Sequence, residues 1–492
     1  MGTATKVRHP EGMFCSRQLA FGHKRGYRLL TTGCRPVDAA TAEVALESVR
    51  LENRGTSWAW GEFPKMPEGG LLHHLIREKY TRQDLAAIKQ VLDAHKTHEI
   101  TPVAHGLFAA SPSQAENSLT GYQNVWVRDN IIVANSFRLR GILPPAIACI
   151  QGLTRFFERQ RVRFEEIISD EKRMLKANVN RRPHIRFMAA TLDELPEKWA
   201  HAQNDALGEA LWFRFVLANE RILPVTHEDW KIYQLFPAYF EAIAYWNDED
   251  SGAWEEGLKV NNSSVGAVVA GLEELQRYIY SAVAKKELGA KSLAAIDKQK
   301  LEDLISKGRQ RLNLTLPFES PPERLADSAL LLLIHPLGTV TSRHLQDAIL
   351  NLVQARLRGE VGIKRYADDS YFCQDYDEWF APDQMCVDFS DALAFRNAFA
   401  QPGCEAQWCI FDPLLSIIYG ERYLADRTDN RSLDKQIYYF NRSLRQMTPK
   451  GECPELYYLK NGKYTPNAHT PLAWTQANQA LALYLLEKSV RE

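Results

Sequence analysis

The stretch Trp254-Glu-Glu-Gly-Leu-Lys-Val-Asn-Asn-Ser-Ser-Val-Gly-Ala-Val-Val-Ala-Gly-Leu-Glu-Glu-Leu-Gln-Arg-Tyr-Ile279 decides how this chain is to be read. Its second part is a helix pattern that opens at Ser264, with Val265, Val268, Leu272, Leu275 and Ile279 forming one apolar stripe. Its first part is a short island of aromatic and acidic residues. The same alternation recurs along the chain. Thr81-Arg-Gln-Asp84 has the form of an N-terminal cap ahead of Leu85, Ile88 and Leu92. Asp205 to Arg221 places Leu207, Leu211 and Phe215 on one face, and similar patterns run from Asp412 to Tyr423 and from Pro471 to Leu486. Strand patterns are scarce, the clearest being a hairpin from Tyr457 to Tyr464 around Asn461-Gly462. Helices of about ten to twenty residues, joined by aromatic-rich loops, predict an all-α domain.

Composition narrows the function classes. Of 492 residues, 45% are hydrophobic and 25% charged, ordinary for a globular protein with a sizeable core. A net charge of −1 gives no sign of a nucleic-acid partner or of attraction to an anionic membrane surface. The 11 Trp and 19 Tyr exceed what a core alone explains, and their rings suit stacking on the apolar faces of sugars. The eight cysteines, from Cys15 to Cys453, form no Cys-x-x-Cys pair and no cluster with His at metal-ligand spacing. They read as reduced, buried thiols. The longest apolar run, Ala329 to Ile334, is too short to cross a membrane, and no secretory leader is evident. A soluble, cytoplasmic protein is the expectation.

Residues 1–72 lack sustained periodicity and end in Pro64-Lys-Met-Pro-Glu-Gly-Gly70, so they read as a poorly structured extension. The rest, 73–492, is expected to form one helical domain. Within it 284–327 is rich in Lys, Glu and Asp, with a polar helix near Ile296 to Leu312, and reads as a charged, solvated insertion.

Four islands carry candidate chemistry. The first is Tyr122-Gln-Asn-Val-Trp126-Val-Arg128-Asp129-Asn130, where Arg and Asp could clamp neighbouring sugar hydroxyls between Tyr122 and Trp126. The second is Trp199-Ala-His-Ala-Gln203-Asn204-Asp205, and the third is Trp254-Glu255-Glu256-Gly257. A tryptophan face desolvates a neighbouring carboxyl and raises its pKa, which a general acid for glycoside cleavage needs. The fourth is Pro454-Glu455-Leu-Tyr-Tyr with Thr470-Pro471-Leu-Ala-Trp474. Taken alone, each island also reads as helix caps, a surface salt bridge or an acidic turn. Glycoside hydrolysis needs two carboxylates, and Glu255 with Glu455 would be that pair.

Together, and in this order, the islands resemble the glycoside hydrolase family of glucoamylases and glucodextranases (family 15), and the amino-terminal domain of phosphorylase kinase regulatory subunits. Gly106-Leu-Phe-Ala-Ala with Trp126-Val-Arg-Asp-Asn, His184-Ile-Arg-Phe and Asn262-Ser-Ser-Val-Gly266 are similar to the kinase subunits. Trp199 to Asp205 resembles the glucoamylase tryptophan loop. Lys364-Arg365-Tyr366-Ala-Asp-Asp369, with Trp408, resembles the family's sugar-reaching Arg-Tyr segment, and Thr470-Pro-Leu-Ala-Trp474 the bacterial glucoamylases.

The resemblance implies an (α/α)6 barrel, a six-hairpin glycosidase toroid, with a pocket at one end. It implies Glu255 as general acid and Glu455 as general base. Tyr122, Trp126, Arg128, Asp129, Trp199, Gln203, Asp205, Trp254, Glu256, Arg365, Tyr366 and Trp408 would contact substrate. No cofactor or metal is called for. The substrate would be an α-glucan or gluco-oligosaccharide, attacked from its non-reducing end with release of β-glucose. Glu256 after Glu255 keeps the hydrolase arrangement, since in the kinase subunits that residue is often not acidic. Leu456 after Glu455 departs from it, since hydrolases usually have Gln there. A preceding β-sandwich domain and a starch-binding module are not evident, which favours soluble oligosaccharide or intracellular glucan over raw starch. The rival expectation is a glucan-binding regulatory protein, although the long C-terminal region of the kinase subunits is not expected here. A third reading keeps hydrolysis but changes the substrate to trehalose, dextran or a small glucoside.

Overall fold

A computed structural model describes residues 71–112, 120–389 and 391–490. The expected extension 1–72 lies outside them except for Leu71 and Leu72, and Leu72 is buried against the helix Arg82–Ala94 and its neighbours. Thr81 and Asp84 close a capping box at the head of that helix, whose Leu85, Ile88 and Leu92 face the core.

The barrel is built from an inner ring. Its members are α1 (Val127–Leu139), α2 (Asn204–Asn219), α3 (Asn262–Ile279), a 3-10 segment Ser328–Leu333, α4 (Phe411–Ala425) and α5 (Ala473–Ser489). Each packs on the next, and α5 closes back onto α1. Outer helices cover them, among them Leu143–Arg159 over α1 and Asn430–Arg445 over α4. This is the (α/α)6 architecture.

Position in the ring explains the burial patterns. Every residue of α2 from Asn204 to Ala218 is buried, because an inner helix has neighbours all round. The α2 and α3 backbones touch: a Cβ built on Gly208 would lie 2.5 Å from the backbone carbon of Ala267, and one on Gly271 2.6 Å from the Gly208 carbonyl oxygen. α3 begins at Asn262, two residues before the expected Ser264.

The segment 284–327 is not a solvated excursion. Its helix Lys298–Thr315 packs on α3 with Leu301, Leu304 and Leu312 buried, so its charge belongs to the outward face of an outer helix. Its end places Glu319 and Asp327 deep in the protein. Among the described residues no helix is long and apolar enough to cross a membrane.

Two small sheets brace the end of the barrel where the inner helices begin. β1 (Val125–Trp126) pairs antiparallel with β2 (Arg186–Phe187). β3 (Gln407–Trp408), β4 (Leu456–Lys460) and β5 (Lys463–Pro466) form the second sheet. The expected hairpin is β4–β5, turning through Asn461 and Gly462 at φ 49° and 71°. Two successive left-handed residues make the tight turn that matches strand twist.

Candidate active site

The N-terminal ends of the inner helices converge on one cavity, about 750 Å³ of empty space when counted out to its open mouth. Tyr122, Trp126, Arg128 and Asp129 line it from the start of α1, and Trp199 from the approach to α2. Trp254 and Glu255 reach it from before α3, Trp408 from before α4, Glu455 from just before β4, and Trp474 from the start of α5. Arg365 lines it as well. β3 pairs Trp408 with Leu456, and the Cys409 amide donates to the Glu455 carbonyl at 2.8 Å.

Glu255 ends a single 3-10 turn, Gly252–Trp254, in the left-handed region at φ 59°. That dihedral sends its side chain to the cavity and its successor away from it. The Trp199 indole N–H donates to Glu255 Oε2 at 2.8 Å. Oε1 has the Arg128 guanidinium at 3.7 Å and no hydrogen-bond partner among the described residues. Burial pushes the Glu255 carboxyl above the usual range, against the pull of Arg128 and Arg186. Arg186 lies over the Trp199 ring at 4.0 Å and the Trp126 ring at 4.9 Å, so it braces the tryptophan that holds Glu255.

Glu455 sits in the opposite kind of environment. Tyr122 donates to its Oε1 at 2.8 Å, and Asn467 Nδ2 and His469 Nδ1 approach Oε2 at 2.5 and 2.7 Å. Three donors stabilise a carboxylate. The His469 ring stacks on Tyr122 at 3.5 Å. Burial pulls the His469 pKa down, but the Cys386 sulfur and the Glu455 carboxylate outweigh it and carry it up to about 10. Asp129, turned into the cavity, is pushed by burial up to about 7, with Arg128 pulling down and the two glutamates pushing up.

Four residues expected at the substrate lie behind the wall. Gln203 and Asp205 hold Arg128, which donates to them at 2.8 and 2.6 Å. A buried guanidinium needs such acceptors, and the start of α2 supplies them. Glu256 points into a cage of Arg324, Arg365 and Arg396, and the Tyr366 hydroxyl donates to it at 2.6 Å. Burial opposes its charge, but the three guanidiniums hold its carboxyl far below the ordinary range. Tyr366 is thereby spent on Glu256, with Arg324 stacked on its ring at 3.4 Å.

The cavity also takes Tyr371, Cys386, Phe389 and Arg396, which the sequence reading missed. The signal for them was present. Tyr371, Phe372, Tyr376, Trp379, Phe380 and Phe389 crowd a segment without helical period, as in the other islands.

Behind the tryptophan loop, ligand atoms of His184, Glu194 and His201 lie within 4.8 Å of one another. His184 Nδ1 accepts from the Ile185 and Arg186 amides at 2.8 and 3.0 Å, which leaves its proton on Nε2. Arg163 already pairs with Glu194 at 2.6 Å. The cluster therefore does not present three free lone pairs to a metal.

Residues 87–313 match the sequence profile of Glycosyl hydrolases family 15. Over 222 residues the chain is 25% identical to phosphorylase b kinase regulatory subunit alpha, skeletal muscle isoform, of Mus musculus. That match covers 44% of this chain and only 16% of the mouse protein. Among solved structures, a glycosidase variant superposes with a TM-score of 0.60 at 16% identity, covering 84% of this chain and 100% of its own. Glucoamylase from Saccharomycopsis fibuligera gives 0.55 at 14% identity, covering 86% of this chain and 98% of its own. A bacterial glucoamylase complexed with acarbose gives 0.54 at 13% identity, covering 83% and 57%. The chain is thus a family 15-like protein, matching that family in sequence over 87–313 and sharing the fold of the glucoamylases.

Proposed function

We propose that this protein is an exo-acting, inverting α-glucosidase that releases β-glucose from the non-reducing ends of α-glucans or gluco-oligosaccharides. The observation that carries the reading is the opposed setting of two carboxyls on one cavity. Glu255 is partly exposed to the cavity, its Oε1 buried without a hydrogen-bond partner among the described residues and its pKa raised, which suits a proton donor. Glu455 accepts from three donors, which suits a carboxylate. In this reading Arg128 and Asp129 hold the terminal glucosyl unit against Trp126 and Trp199. Glu255 protonates the glycosidic oxygen as the bond to the anomeric carbon breaks. Glu455 takes a proton from a water attacking the opposite face of the ring, so an α-linkage gives a β-product. The relatives support the substrate class: one solved glycosidase is in complex with glucose and one glucoamylase with acarbose.

One observation favours the glucan-binding, regulatory alternative. Over 222 residues the chain matches a kinase regulatory subunit. Proton NMR of the purified protein with maltotriose separates the two. β-Glucose appearing first, and absent in Glu255→Gln and Glu455→Gln, is the expected result. Silence on maltotriose, isomaltose and trehalose, with sugar binding intact, would overturn the hydrolase reading.

A further inference from the structure

Cys386 is tied into the network that holds Glu455. Its sulfur lies 3.1 Å from the Tyr371 hydroxyl and 3.7 Å from His469 Nε2. On one side the path continues from His469 Nδ1 to Glu455 Oε2 at 2.7 Å. On the other it runs from Tyr371 to the Tyr122 hydroxyl at 3.2 Å, and from Tyr122 to Glu455 Oε1 at 2.8 Å. Five side chains close a ring, with thiol and carboxylate at separate points of it.

A thiol facing one imidazole nitrogen, while a carboxylate holds the other, is the arrangement of an activated nucleophile. The imidazole takes the proton, and the carboxylate orients it and stabilises the imidazolium. With the His469 pKa pushed up to about 10, a proton placed there stays near neutral pH. Cys386 is partly exposed and lines the cavity. Cys149, Cys373, Cys409 and Cys453 are buried, and burial raises the Cys373 thiol to about 11. Cys404, the other partly exposed thiol among the described residues, does not line the cavity.

We propose that Cys386 is a thiol-modification site for low-molecular-weight disulfides, whose attachment fills the sugar cavity. Cys386, as a thiolate paired with protonated His469, attacks one sulfur of the disulfide. The disulfide bond breaks, and the leaving thiolate recovers the proton. One mixed disulfide and one free thiol result: the small disulfide is the oxidant, and an added thiol reverses the step.

The test follows labelling of the full chain by peptide mass, with iodoacetamide as alkylating probe and glutathione disulfide as exchanging probe. Cys386 is expected to react at least about tenfold faster than Cys404 at pH 7, and its glutathione adduct to be removed by dithiothreitol. In His469→Gln that advantage should disappear while circular dichroism remains native. Equal rates at the two cysteines, or an unchanged rate in folded His469→Gln, would overturn the proposal. If that variant does not fold, the wild-type pH profile decides. A Cys386 rate nearly flat from about pH 6 to 8 supports assistance by His469, and a rise of about tenfold per pH unit refutes it. None of these readouts needs glucosidase activity, so failure here and failure of the proposed hydrolysis are distinguishable.

Discussion

The left-handed backbone at Glu255 turns two consecutive carboxylates in opposite directions, one into the cavity and one into an arginine cage. Sequence reading assigned Glu255 to the cavity and assigned Glu256 there too, because adjacency in sequence carries no direction and one φ angle decides it. Two predictions belong to this scale. Replacing Glu255 by Gln should lower kcat by about 10² to 10⁴-fold while sugar affinity survives, since the general acid acts on the transition state. Retained kcat would remove Glu255 from the proposed chemistry. Trp199→Phe deletes a donor that stabilises the Glu255 carboxylate and so lowers its pKa. The acid works protonated, so losing that donor should move the alkaline limb of the kcat profile upward in pH. An unmoved limb would mean that this hydrogen bond does not tune the titrating group.

Helices with one wet face were legible, and those without were legible only in part. The cap at Thr81, the β4–β5 hairpin and the stripe of α3 emerge where expected. For α2 the periodicity picked out Leu207, Leu211 and Phe215, yet Trp212, Phe213 and Arg214 are buried as well. Position in a closed ring is a property of the whole fold, and no local period encodes it. The same holds for Lys298–Thr315, whose charges suggested an excursion although its apolar edge packs on α3. The α2–α3 contact makes a prediction about elements. Gly208→Ala would place a methyl group 2.5 Å from backbone atoms of Ala267 and Val268, which cannot move without their helix. The cost should approach the upper end of overpacking, about 3 kcal/mol, read from the urea midpoint. Gly462→Ala is the contrast. Its Cβ would meet nothing within 4 Å, and only φ 71° opposes it, so about 1 kcal/mol is expected. Equal costs would mean that the helix contact is softer than its geometry implies.

At the scale of the molecule, charge burial ties stability to pH. Burial pushes Asp129 and Asp250 up to about 7, and burial with the neighbouring Asp327 pushes Glu319 up to about 8. Each group holds its proton in the folded state after the unfolded chain has released it. From about pH 6.5 to 8 the folded protein binds more protons, so stability falls as pH rises. His469 acts in the same direction: its stabilisation is complete below its unfolded pKa and fades towards about 10. The thermal midpoint should therefore be lower at pH 8 than at pH 6.5, and a higher one would contradict these assignments. Half-buried His98, whose pKa desolvation lowers to about 4, makes the opposite contribution, but only below about pH 6.5.

The arginine cage around Glu256 has a consequence in time. Its three guanidiniums come from residues 68, 109 and 140 positions further along the chain. A buried carboxylate with only some of its cations is far less favourable than the complete set, so the contacts form together or not at all. Each requires a long loop to close first, which makes such contacts slow to assemble. The turn carrying Glu255 is anchored by its neighbour in that cage. During refolding from urea, helical signal should therefore return before the chain can bind sugar, and the interval between the two measures how long the barrel exists without a working mouth.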